Sequence, residues 1–300
     1  MTVRIVEQDG KFVGYVNGKV VKRSKDRIHV ENKIAQLGIP RSTFNEQAKA
    51  AQERDAKFGI NVRFEFVEKL VNMVAAGVQP SAVITGEGGL GKTFTVTKTL
   101  ETAGFKDISD LADFQVGSII NTRKCFTMVK GYSTAKGLYR TLFENNKSII
   151  VFDDCDAVLK DPVALNLLKG ALDSYGKRII SWNADMRDDD LPRSFNFEGR
   201  VIFISNMTQD SIDQAIRSRS MLIDLSMTAD QKIDRMEHIA KSDSFLPEYD
   251  ANIKADALKL IRELKDVAKE INLRTLISVS KVRAANPKDY REMCEYMLTA

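Results

Sequence analysis

The sequence predicts an α/β fold: a three-layer, doubly wound parallel sheet with helices on both faces, a small β/α unit before it and an all-helical segment after it. Three observations carry this reading. Short apolar runs at residues 81–85, 125–129, 148–152, 179–182, 201–205 and 221–225 alternate with helical stretches. Runs without polar alternation are strands buried on both faces, as in a parallel sheet covered by helices on each side. A glycine-rich loop joins the first run directly to a helix, and beyond Thr228 no strand is evident.

In chain order, residues 3–6, 11–16 and 19–22 are short β runs separated by Asp9-Gly10 and Asn17-Gly18. Both dipeptides favour tight hairpin turns, so a three-stranded meander is expected. A helix is expected over 24–37, a break at Gly38-Ile39-Pro40, and a second helix over 42–57. Residues 63–76 carry Phe66, Val67, Leu70, Val71 and Val74 at helical spacing, with Gly77 as the cap. A helix over 94–103 follows the glycine-rich loop. Helices over 231–241, 251–269 and 273–284, and one after Pro287, form the tail. A chain of 300 residues suits such a division, with a basic N-terminal domain at 1–58, a core at 59–227 and a helical lid at 228–300.

Composition excludes some classes. No segment reaches the roughly 18 unbroken apolar residues of a membrane helix, and the N-terminus lacks the apolar core of a signal peptide. Cys125, Cys155 and Cys294 are odd in number and far apart, as reduced thiols in a cytoplasmic compartment would be. With His29 and His238 the only histidines, a protein-built zinc site is not expected. The net charge is +4, yet residues 1–60 hold 12 Lys or Arg against 7 Asp or Glu. The basic excess therefore belongs to the N-terminal segment.

Gly86-Glu87-Gly88-Gly89-Leu90-Gly91-Lys92-Thr93 fits the phosphate-binding pattern G-x-x-x-x-G-K-[ST] between a strand and a helix that opens at Phe94. Glycines let successive backbone N–H groups turn inward around a polyphosphate, and the helix N-terminus adds positive potential. Lys92 is placed to reach the β- and γ-phosphates, and the Thr93 hydroxyl to hold a magnesium ion. The sequence thus implies a bound nucleoside triphosphate with Mg2+.

A second layer of chemistry lies downstream. The run at 148–152 ends in Asp153 and Asp154, the Walker B pattern: Asp153 for the metal, Asp154 to orient an attacking water. The run at 201–205 ends in Asn206, at the carboxyl edge where a parallel sheet meets its ligand. A helix over 211–218 delivers Arg217 and Arg219 before the last strand, and Asn272 opens the helix that carries Arg274. Asp156 reads as a helix N-cap.

From about Phe58 to Ala285 the chain resembles the AAA+ ATPases, with a loose likeness to members encoded by large bacteriophages. The resemblance implies a P-loop NTPase core of AAA+ type. It implies that Asn206 is sensor 1, that Arg219, with Arg217 as second candidate, is the arginine finger reaching the adjacent subunit's nucleotide, and that Arg274 is sensor 2. Phe58, Gly59 and Ile60 fall where the family's linker packs on adenine. A ring, most often a hexamer, is implied, with ATP hydrolysis driving the remodelling of a macromolecule. One departure stands out: the family usually pairs Asp with Glu, and Asp154 is one methylene shorter. That bears on fast hydrolysis and leaves binding intact, so a nucleotide-gated scaffold stays open.

Three weaker features concern the substrate. Tyr132 follows a strand where many AAA+ rings carry an aromatic pore loop; packing on Leu138 and Leu142 is the alternative. Residues 35–44 resemble the turn of a helix-turn-helix beside Lys22, Arg23, Lys25 and Arg27, which suits either a DNA-binding motor or loader or a protein-docking domain. Residues 185–199 lengthen the connection into the Asn206 strand, as a hairpin or as a surface loop.

Overall fold

The computed structural model describes residues 3–8, 10–39, 57–109, 124–173, 176–183 and 191–300. All but the last residue of the expected helix at 42–57 and half of the helix-turn-helix-like segment (residues 40–44) lie outside the described residues, as does the stretch 184–190.

The N-terminal unit is a three-stranded antiparallel meander of β1 (Val3–Gln8), β2 (Lys11–Val16) and β3 (Lys19–Ser24). Helix α1 (Arg27–Ala35), capped by Asp26 accepting from the amide of Ile28, covers one face. Val3, Val30, Ile34 and Ile39 form its small core. The β2–β3 turn rests on the rest of the molecule at Gly18: a Cβ there would overlap the carbonyl oxygen of Asp210.

Helix α2 (Ile60–Ala75) leads into β4 (Ser81–Thr85) and α3 (Lys92–Thr102). A short edge strand β5 (Lys106–Asp107), which the sequence did not announce, precedes β6 (Cys125–Lys130) and α4 (Ala135–Glu144). Then come β7 (Ile149–Asp153), α5 (Pro162–Ala171), β8 (Ile179–Ser181), β9 (Ser194–Asn196) and β10 (Arg200–Ser205). Helix α6 (Gln214–Arg219) and β11 (Met221–Asp224) complete the core. Among the described residues, six strands form one sheet in the order β11-β4-β10-β7-β6-β5, every pair parallel.

The side-chain period of two explains why the central runs are apolar throughout. In β7, Ile150 and Phe152 join one core with Leu138, Leu142 and Leu168 from α4 and α5. Ile149 and Val151 face the other, with Phe64, Val67 and Val71 of α2 and Val96 and Leu100 of α3. The run at 179–182 is a correction to the expected sheet. β8 pairs antiparallel with β9 as a separate hairpin, exposed-buried-exposed along its length. Its aromatic residues hold it against α4, where the Tyr139 ring meets Trp182 at 5.8 Å and Phe195 at 5.2 Å.

Helices α7 (Ala229–Ala240), α8 (Ala251–Glu263), α9 (Leu273–Ala285) and α10 (Tyr290–Thr299) follow, with a core of their own built on Ile233, Met236, Leu260, Ile261 and Leu276. The expected helix to residue 269 stops at Glu263. Leu264 and Ala268 fold onto this core instead, and the Lys269 amide donates to the carbonyl of Leu298. The buried Arg63 fastens the four helices to the sheet by donating to the carbonyl of Ser226 at 2.9 Å and to Gln231 Oε1 at 3.2 Å. The Arg235 guanidinium lies 3.6 Å from the centre of the Phe64 ring.

Candidate functional site

Strand β4 is buried along its full length and ends at Gly86. Here the backbone takes φ 134°, and a Cβ would approach the Leu225 carbonyl carbon to 2.8 Å, so glycine alone lets the loop pass this point. The loop closes at Gly91, which caps α3 at φ 93° and brings the positive end of that helix to a cavity of about 410 Å3. Gly88, Gly89, Lys92 and Thr93 line it from the loop, and Asp153, Asp154, Asn206 and Arg274 from three other elements.

The polar groups form a linked set. Lys92 donates to the carbonyls of Gly86 and Glu87, the latter at 2.8 Å, and to Asn206 Oδ1 at 2.9 Å. The other end of that amide, Asn206 Nδ2, donates to Asp154 Oδ1 at 2.6 Å. One side chain therefore bridges the loop lysine and Asp154. The Thr93 hydroxyl lies 3.1 Å from each carboxylate oxygen of Asp153.

Burial sets the charges. It pushes the Lys92 ammonium down to about 8, against the attraction of Asp154 and Asp153. It raises the Asp153 carboxyl above its ordinary range, while the Thr93 hydroxyl and the nearby Lys130 pull the other way. Cys155, next in the chain, is pushed up to about 11 by burial, which leaves it a protonated, inert thiol.

Asp154 itself is exposed and adopts φ 55°, a left-handed conformation rare outside glycine and its polar mimics. Its amide donates to the carbonyl of Ile204 at 3.1 Å. The backbone thus turns sharply where the sequence places the short carboxylate. Asp156 is not a helix N-cap: its carboxylate accepts from the Ser205 hydroxyl at 2.6 Å, and Asp161 caps α5 instead.

A second cavity of about 580 Å3 shares Gly91 and Phe94 with the first. Thr95, Lys98, Thr99 and Thr102 line it from one face of α3, and His238, Ile239 and Leu273 close it from α7 and α9. The helical spacing of 94, 95, 98, 99 and 102 was the available signal for this wall. The opposing wall arises only when the C-terminal helices dock. They do so directly on the phosphate loop: the Leu273 amide donates to the Gly89 carbonyl at 2.8 Å, and Lys232 pairs with Glu87.

Other sequence-selected residues lie elsewhere. Leu90 is buried beneath the loop. Gly59 and Ile60 stand at the start of α2, Ile60 in the core, and neither lines the two cavities. Arg219 ends α6 with Nη1 donating to the Ala215 carbonyl at 3.2 Å, and Arg217 Nη1 stands 4.0 Å from Asp210. Neither arginine lines its own chain's phosphate cavity. Tyr132 is 81% exposed, whereas Leu138 and Leu142 are fully buried. Sequence reasoning passed over Lys130, which lines the phosphate cavity. Its signal was its place at the tip of the strand beside β7.

Comparison with known proteins agrees with this geometry. Residues 82–227 match the family model described as "ATPase family associated with various cellular activities (AAA)". Over these residues the chain is similar to the AAA-family ATPases. The matched segment begins in β4 and ends beyond β11, so it takes in the six-stranded sheet and every loop and acid described above. The chain is also 30% identical over 203 residues to an uncharacterized 36.7 kDa protein of Enterobacteria phage T4 from the nrdC–mobD intergenic region. That alignment covers 63% of this chain and 57% of the phage protein, so the chain spans little more than half of that relative's length. Among the described residues, no helix is long and apolar enough to cross a membrane.

Proposed function

We propose that the chain is an AAA+ ATP hydrolase, with a basic N-terminal domain at 1–58, a nucleotide core at 59–227 and a lid at 228–300, that works in a ring, a hexamer, to remodel a macromolecule. The observation that carries this reading is the linked set of Lys92, Asn206 and Asp154 beside the Thr93–Asp153 pair. ATP fits the cavity. The Lys92 ammonium rests on two loop carbonyls and an amide, partners that phosphate oxygens would replace, and Gly88, Gly89 and Gly91 line the cavity from the loop. Thr93 and Asp153 would hold Mg2+, which supplies charge neutralisation at the phosphates when bound.

The chain's own residues then divide the work. Lys92 and Arg274 bind phosphate, and the loop amides orient it. Asp154 accepts a hydrogen from water, and Asn206 fixes the direction of that carboxylate. Phe94 and the second cavity take the nucleoside. Three buried free thiols support a reducing compartment, the cytoplasm. The position of Arg217 and Arg219 away from their own cavity supports a role across a subunit boundary.

Steady-state phosphate release tests the reading, with Lys92→Ala losing nucleotide binding and Asp154→Asn binding ATP without turning it over. Normal turnover in Asp154→Asn would remove Asp154 from its role. A species that stays monomeric with a bound ATP analogue, with undiminished turnover in Arg219→Ala, would remove the ring.

A second reading, a motor or loader on DNA, is favoured by one observation. A cavity of about 240 Å3 on the N-terminal meander is lined by Lys11, Arg23 and Lys25 with Gln8 and Ser24. Steep salt dependence of DNA binding would support it, and turnover unaffected by DNA would favour a protein substrate.

A further inference from the structure

Lys130 is the last residue of β6, in parallel register with Asp153 at the end of β7. It lines the phosphate cavity with Lys92 and Arg274, and its charge acts on Asp153. Among the described residues its ammonium makes no hydrogen bond or ion pair, whereas Lys92 is fully engaged with loop carbonyls and Asn206. In that lining, Asp153 and Asp154 offset two of the three cations, so the third leaves the lining in positive excess. A positive excess in a partly enclosed cleft is an anion site.

We propose that Lys130 is a second phosphate-binding lysine, in contact with the terminal phosphate from the side opposite the glycine-rich loop. This rests on the nucleotide reading above and adds a residue to it. The geometry distinguishes the two lysines. Lys92 rises from the first turn of α3 and is held by the loop that wraps the phosphate chain. Lys130 projects from the neighbouring strand tip beside Asp153 and Asp154, the end of the cavity where the metal and the attacking water belong. A hydrogen bond from an ammonium to a phosphate oxygen is charge-assisted, and its flexible stem lets it follow a phosphate that changes shape. An extra cation at this end of the cavity also offers one reason the chain tolerates the shorter Asp154: part of the charge that develops in the reaction is met by Lys130 itself.

The test compares fluorescent mant-ATP and mant-ADP binding, with Mg2+, to wild type, Lys130→Met, Lys130→Arg and Lys92→Ala. Contact with the terminal phosphate predicts a loss of about tenfold or more in mant-ATP affinity for Lys130→Met, the size of a hydrogen bond to a charged group. Affinity for mant-ADP should stay within about twofold, and Lys130→Arg should recover most of the ATP affinity. Lys130 is exposed at a strand end, so the variants should keep the wild-type thermal midpoint. Equal losses for both nucleotides, or none for either while Lys92→Ala abolishes binding, would overturn the proposal and leave the nucleotide reading standing. A wild-type protein that binds neither nucleotide would overturn both.

Discussion

The two cavities that meet at Gly91 and Phe94 are built on different principles. The phosphate cavity is lined by charges and glycines whose identities the chemistry dictates: a left-handed cap at Gly91, a lysine and hydroxyl at the helix start, and acids at a strand tip. The larger cavity beside it has a mixed lining of threonines, serines, aromatic and aliphatic side chains with Glu68, Lys98, Arg235 and His238, and it is walled by α2, α3, α7 and α9. One is specified by backbone geometry within a few residues, the other by tertiary docking. The difference predicts that substitutions in the first act on chemistry and charge, and that substitutions in the second act on both nucleotides alike.

The largest effect should come from Lys92→Ala, which removes the ammonium at the head of α3. Nucleotide affinity, read by equilibrium binding, should fall about a hundredfold or more, since charge-assisted hydrogen bonds to several phosphate oxygens are lost together. Next, Asp154→Asn should cut steady-state turnover by about a hundredfold or more while ATP affinity holds, the span usual for a general base. If instead affinity fell with turnover, the division of labour between Asp153 and Asp154 would be wrong. In the second cavity, Ile239→Trp should weaken ATP and ADP by a similar factor, about tenfold, because one overfilled wall does not distinguish their phosphates. A selective loss of ATP there would erase the contrast between the cavities.

The smallest effect is a pH dependence. Lys92 in the free protein loses its proton at about 8 because it is buried. Phosphate favours the charged form, so the complex holds that proton to higher pH. ATP affinity should be flat below about pH 8 and fall above it by at most about tenfold per unit, the slope of one proton. Calorimetry in buffers of different ionisation enthalpy should register proton uptake on binding above pH 8. An affinity that rises with pH would contradict the assignment.

The phosphate cavity was legible in the sequence because its parts obey local rules. Gly88, Gly89, Gly91, Lys92, Thr93, Asp153, Asn206 and Arg274 stand at or beside strand or helix ends that apolar runs and caps announce, and all of them line one cavity. Lys130 escaped because a lysine at a strand end reads as solvated until the neighbouring strand is known, and sheet order is a long-range property. The β8–β9 hairpin escaped for a related reason: Ile179 to Trp182 is apolar enough for a central strand, but its partners are aromatic residues on α4 and β9. Helical periodicity continued past Glu263, where packing onto the C-terminal core and a hydrogen bond to Leu298 ended the helix instead. The conformation of Asp154 was likewise invisible, since the same two acids are compatible with an ordinary loop.

The most direct test of a hydrolytic site shared between subunits is phosphate release from a mixture of two inactive variants, Lys92→Ala and Arg219→Ala. On the proposed reading, a Lys92→Ala subunit would still present Arg219 to its neighbour, and an Arg219→Ala subunit would still bind ATP. Random mixing in a ring of head-to-tail contacts restores a complete site at about a quarter of the interfaces, so the mixture should regain a like fraction of wild-type turnover. A mixture no more active than its two components would contradict the shared site.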